Sequence, residues 1–175
     1  MVIKSERGEA ERRLVAALRS TFDASVMNFG AYNLLYAENA PAAGLWSLEG
    51  PELSAMEAVG AARHLLVGYR REPVEMVLCP VDLDEALPRM EPGTSADAAP
   101  RVPVPVNLTN LAGMATEGTT VRIVLSAGTE LNLDIRETVE FSGLPGLPLH
   151  QKRDVEDFYD FLDHFMNSVE HPLRP

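Results

Sequence analysis

Residues 63–81 read Arg63-His64-Leu65-Leu66-Val67-Gly68-Tyr69-Arg70-Arg71-Glu72-Pro73-Val74-Glu75-Met76-Val77-Leu78-Cys79-Pro80-Val81. Two apolar runs, 63–70 and 74–81, flank Arg71-Glu72-Pro73. Short apolar runs on either side of a proline-bearing break predict a β-hairpin. Pro80 has no amide to donate, so it marks a sheet edge or the end of a strand. This hairpin sets the class of the fold, and the flanking segments are read against it.

Downstream, residues 84–101 are rich in proline, alanine and acid and lack any period. A stretch of that kind predicts a mobile loop. Val102-Pro103-Val104-Pro105-Val106 alternates valine with proline and predicts an edge or polyproline-like segment. Residues 119–125 and 130–135 flank Ser126-Ala127-Gly128-Thr129 as a second hairpin, and Leu131, Leu133 and Ile135 alternate with Asn132 and Asp134. That alternation marks a strand with one wet face. Val139 and Phe141 are expected to end the sheet. Val155, Phe158, Leu162, Phe165 and Val169, with Tyr159, Phe161 and Met166, follow the helical period. At 100° per residue they cover about 160° of the helix surface. Asp154 is the expected N-cap, and Pro172 lies just past the end.

Upstream, Ala10, Leu14, Leu18 and Phe22 recur every four residues and predict a helix over 5–22, capped by Ser5. Residues 31–37 and 45–48 read as short strands of a hairpin. Residues 51–61 are ambiguous, with Pro51 suited to a first helical turn and Gly60 to an end. Together these elements predict an α+β domain over 1–175: an antiparallel β-sheet or partly open barrel with an N-terminal helix and a long C-terminal amphipathic helix. A chain of 175 residues fits one domain with a core of its own.

Twenty-six acidic residues against fifteen basic give a net charge of −11. Nucleic acid needs a basic patch, and none is visible; anionic membrane surfaces are disfavoured for the same reason. No apolar run approaches the ~20 residues of a spanning helix, and the N-terminus lacks a signal-peptide core. Cys79 is alone, so no intrachain disulfide forms, and its apolar run makes it a buried thiol. A cytoplasmic protein is expected. Thirteen Arg against two Lys, with abundant Ala and Gly, is the bias of a GC-rich genome and suggests a bacterial source.

Few residues suggest chemistry. Asp157, Asp160 and His164 share one side of the last helix, where carboxylates and imidazole could hold a divalent ion. That side lies opposite the apolar stripe, and Arg153 sits four residues before Asp157, so a solvated charged face is the plainer reading. Asp82, Asp84 and Glu85 form a second acidic group, read as a charged strand exit. His64 is a conceivable general base, but no nucleophile or orienting acid stands at a telling spacing. His150 and His171 flank the last helix and are expected to be exposed. Trp46, Tyr32 and Tyr36 fall on one expected hairpin and are read as core packing before interface. No phosphate-loop, dinucleotide or nucleophile-elbow motif occurs. No catalytic, cofactor or metal residue is assigned, and no cofactor is expected.

The segment Pro105-Val106-Asn107-Leu108-Thr109-Asn110-Leu111, then 120–125, the turn at Gly128, 131–135 and the closing helix Val155–Val169 resembles the second half of a pleckstrin-homology-like or GRAM-like domain. The resemblance spans roughly residues 31–169 and rests on element order. It implies a platform for lipid headgroups or peptides, with no functional residue to carry over, and the absent basic patch argues against phosphoinositides. The acidic chain with terminal helices is also similar to bacterial secretion-chaperone-like proteins, which dimerise and hold a partner chain. The expected function is therefore a non-enzymatic protein- or peptide-binding module. The alternatives are a metal- or carboxylate-dependent enzyme using Asp157, Asp160 and His164, and a chaperone-like holder. A homodimer is expected from the breadth of the last helix's apolar face. An open sheet edge would favour the module, and a convergent polar pocket the enzyme.

Overall fold

A computed structural model describes residues 8–27, 31–40, 54–87 and 102–171. Its elements are α1 (Glu9–Ser25), β1 (Asn33–Asn39), α2 (Ala55–Ala61), β2 (His64–Arg71), β3 (Val74–Pro80), α3 (Leu83–Ala86), β4 (Val104–Val106), β5 (Leu111–Glu117), β6 (Thr120–Leu125), β7 (Glu130–Asp134), β8 (Thr138–Val139), β9 (Leu149–His150) and α4 (Lys152–Glu170). The expected strand at 45–48, with Trp46, the first-turn role of Pro51, the Ser5 cap, Pro172 and most of the expected loop, 88–101, lie outside the described residues.

Seven strands form one antiparallel sheet in the order β4-β3-β2-β1-β7-β6-β5. The β2–β3 hairpin runs in register from Leu65↔Pro80 to Arg71↔Val74, so the turn is Glu72-Pro73, one residue shorter than expected. Pro80 is the last residue of its strand and sits where its missing amide would turn away from β2; the next bond of that ladder runs from the Val81 amide to the His64 carbonyl. Among the described residues β4 and β5 are the two edges of the sheet, yet only residues 107–110 separate them in sequence. Six strand spacings would hold the edges of a flat sheet about 29 Å apart. Five residue steps reach at most about 18 Å. The sheet must therefore curl until its edges approach, which makes a partly open barrel. Asn110 fastens this corner. Its amide donates to the Pro105 carbonyl at 2.7 Å, and its oxygen accepts from the Asn107 amide at 2.9 Å.

Each face of the curled sheet is covered. Leu65, Val67 and Tyr69 of β2 point into the concave side with Val121, Ile123, Leu131 and Leu133, where α4 inserts Val155, Phe158, Phe161, Leu162 and Phe165. Leu66, Val77 and Cys79 point the other way, beneath Leu14, Leu18 and Phe22 of α1. Burial on both sides explains why β2 and β3 are near-continuous apolar runs. The wide apolar face of α4 is taken up within the chain, because a concave sheet wraps more of a helix than a flat one; Tyr159 and Met166 are partly buried at its rim, and Val169 stays exposed. Tyr69 ties helix to sheet: its hydroxyl donates to Asp157 at 2.8 Å, with the Asp154 carbonyl 3.2 Å away.

Several boundaries differ from expectation. α1 starts at Glu9 after an extended Gly8 and runs three residues past Phe22. α2 begins at a capping box between Ser54 and Glu57, and Gly60 lies inside it. The expected loop opens with a helical turn, α3, whose first amides are served by Asp82. Asp154 is not the cap of α4 but lies in its first turn, after Gln151. Val139 lies outside the main sheet, in a ladder with β9. Among the described residues no helix is long and apolar enough to cross a membrane.

Candidate functional site

Hydrogen-bond parity along the strands locates backbone that the sheet leaves unpaired. In an antiparallel pair, residues alternate between exchanging both main-chain bonds with the neighbour and turning them away. β5 and β6 are joined by a two-residue turn, Gly118-Thr119, with Gly118 in the left-handed region at φ 60°. In such hairpins the flanking pair, here Glu117↔Thr120, exchanges both bonds. Ala115 then also faces β6, while the N–H and C=O groups of Met114 and Thr116 turn outward. Among the described residues no strand lies on that side of β5. Ala112, Ala115, Thr116 and Glu117 are exposed, and the small side chains of the first three leave the edge open to an approaching backbone. The other edge is closed. β4 is three residues long, its outward position is Pro105, and the Pro105 carbonyl is taken by Asn110.

A second stretch lies inside the sheet. β1 pairs with β2 along its length but with β7 only at Glu38↔Asp134 and Asn39↔Leu133. Beyond those pairs the two strands splay apart. Gln151 enters the gap: its side-chain oxygen accepts from the Tyr36 amide at 3.0 Å, and its nitrogen donates to the Tyr36 and Arg136 carbonyls at 2.8 and 2.9 Å. It acts as a one-residue substitute for a strand, and it is 2% exposed. Because Tyr36 gives both main-chain groups to Gln151, Leu34, two residues earlier, also turns its N–H and C=O toward the gap. A cavity of about 330 Å³ opens there, between α1, β1 and the start of α4.

The residues singled out from sequence fall elsewhere. Asp157 is not part of a freely solvated face with Asp160 and His164. It accepts from Arg71 at 2.9 Å and from the Tyr69 hydroxyl at 2.8 Å, and the Arg71 contact holds its carboxyl below the usual carboxylate range. Asp160 and His164 are exposed. Asp82 caps α3 by accepting from the Asp84 amide. Among the described residues no group of three ligating side chains is placed to hold a metal ion. His150 is half exposed, yet its main chain and ring both contact the buried Glu11 carboxylate of α1. His171 is exposed and Cys79 buried, as expected.

His64 lies in a 490 Å³ cavity that also brings together Asp82, Asp84 and Ser142. Burial, then the Arg63 charge, lowers its pKa, while Glu38, Asp82 and Asp84 pull the other way. The lowered pKa favours the neutral ring, whose Nδ1 is hydrogen-bonded with the Tyr36 hydroxyl. Tyr32 and Tyr36 are core residues: Tyr32 donates to Glu75 at 2.7 Å, and Tyr36 packs edge-on to Phe141.

Burial pushes up the pKa of all four tyrosines, Tyr32 to about 12 and Tyr36 and Tyr69 beyond that, with Tyr159 raised as well. Unfolded phenols ionise near about 10. The unfolded chain therefore loses protons first, so stability is full below that pH and falls as pH climbs toward the folded values. Phenolate absorbance is expected to appear only together with loss of far-UV circular dichroism. A phenolate step near pH 10 in a fully folded chain would contradict this.

Compared with known proteins, the chain matches no family model, no curated protein and no solved structure.

Proposed function

We propose that this chain is a non-enzymatic binding module that takes an extended peptide from a protein partner as an added strand along β5. The observation carrying the reading is the outward main chain of Met114 and Thr116 on a seven-residue edge strand. Strand addition draws its affinity from main-chain hydrogen bonds, and it needs an edge of this kind. The partner segment is basic, because the net charge of −11 attracts cations and Glu117 and the α4 acids Glu156, Asp160 and Asp163 are exposed. A four-strand meander followed by a three-strand meander and a closing helix also supports the pleckstrin-homology-like reading.

The enzyme alternative is weakened by the engagement of Asp157 with Arg71 and Tyr69. The chaperone-like alternative asks for a continuous apolar groove. The exposed large apolar side chains among the described residues, Met27, Val102, Leu108 and Val169, stand on different segments.

The test is a titration of the ¹⁵N-labelled chain with a peptide of alternating lysine and valine. Met114 and Thr116 amides are expected to shift, and binding to weaken with salt. Thr116→Pro removes an outward amide and leaves the β5–β6 ladder intact, so it is expected to weaken binding about tenfold, as loss of one main-chain bond does. Binding that leaves the β5 amides unmoved, or that Thr116→Pro does not weaken, would overturn the reading.

A further inference from the structure

We propose that the cavity beside β1, beyond the point where β7 parts from it, is a second binding site, which accepts one apolar residue carried on a peptide-type amide. Side chains already occupy the edge of β1 on either side of Leu34. Arg19 donates to the Tyr32 carbonyl at 2.8 Å, and Gln151 holds both main-chain groups of Tyr36. Between them the N–H and C=O of Leu34 face the cavity, and among the described residues no strand or side chain pairs with them. What remains is one residue's length of sheet edge, closed at both ends.

The walls set the rest of the ligand. Val15 and Leu18 of α1, the Leu34 side chain and Leu149 supply apolar walls, beside the charged Arg19 and Asp154. A volume of about 330 Å³ stands at the lower limit of small-ligand sites, so it suits a single capped residue and not a long strand. An unpaired main-chain donor and acceptor side by side call for a ligand with the reciprocal pair. In an antiparallel contact one residue supplies both, its N–H to the Leu34 carbonyl and its C=O to the Leu34 amide. A free carboxylate lacks the donor, and a hydrocarbon lacks both. The ligand class is therefore a small molecule, a single N-acylated apolar residue in amide linkage.

This site is separate from the β5 edge, and its test uses different probes and residues. N-acetyl-leucine amide is titrated into the ¹⁵N-labelled full chain. Saturable shifts are expected at Leu34 and at Val15 and Leu18, with β5 unmoved. The N-methylated form of the same probe, which cannot donate to the Leu34 carbonyl, is expected to bind about tenfold more weakly. Leu34→Pro is expected to bind about tenfold more weakly than Leu34→Ala, because both lose the side chain but only proline loses the outward amide. If Leu34→Pro does not fold, the N-methyl comparison on the native chain decides alone. Absence of shifts at Leu34, or equal binding of the two probes, would overturn the proposal. A peptide that binds at β5 leaves this outcome unaffected, and the reverse also holds.

Discussion

Gln151→Leu is expected to destabilise the fold by about 4 kcal/mol, since each buried main-chain group left without a partner costs about 1–3 kcal/mol. Three such groups are at stake: the Tyr36 amide, the Tyr36 carbonyl and the Arg136 carbonyl. Leucine fills much of the glutamine volume, so the loss comes from orphaned polar groups and not from a void. Gln151→Glu separates the two roles. Glutamate can still accept from Tyr36 but cannot donate to either carbonyl, and it adds a buried charge, so it should be no better than leucine. Urea unfolding followed by circular dichroism reads both variants. A Gln151→Glu midpoint equal to that of the native chain would refute the strand-substitute role.

Gly68→Val is the second large effect, at about 3 kcal/mol. A Cβ on Gly68 would stand 2.3 Å from the Phe22 ring, far inside contact distance. Phe22 is fully buried between α1 and the sheet, beside Tyr32 at 6.0 Å between ring centroids, so it cannot swing aside. Valine suits a strand better than glycine does, so any loss reports the clash alone. Adding Phe22→Leu shortens the opposing side chain and should recover part of the loss, whereas in native Gly68 the same change should only destabilise. If the two substitutions were simply additive, the glycine would not be the seat of the α1 contact.

Much of the frame was legible in residue order. The hairpin of β2 and β3, the pair β6 and β7, and both long helices follow apolar periodicities that burial enforces. β5 was not legible. Leu111-Ala112-Gly113-Met114-Ala115-Thr116-Glu117 has three small residues, no alternation and little β-branching. Its strand form is imposed by β6 across a two-residue turn. The same features follow from its position: an edge with an uncovered side needs no apolar alternation. The candidate site is thus the strand whose sequence says least. Gln151 was hidden for another reason. A polar residue before a helix reads as a cap, and its real partner, Tyr36, lies 115 positions away. Asp157 was placed on the correct helix, but its partner Arg71 comes from a hairpin 86 residues earlier. The signature Ser54-x-x-Glu57 was readable and would have resolved the ambiguity at 51–61.

Among the described residues, five of the six neighbour pairs in the main sheet join strands that follow one another along the chain, and β1–β7 does not. The chain can therefore assemble two meanders, β1 to β4 and β5 to β7, from strands consecutive in sequence before it joins β1 to β7, the pair most distant along the chain. The closing contact is brief, two residue pairs, with Gln151 set beside it. Kinetically this makes the β1–β7 seam the late step. A destabilising change there should appear mainly as faster unfolding, and one within either meander mainly as slower folding.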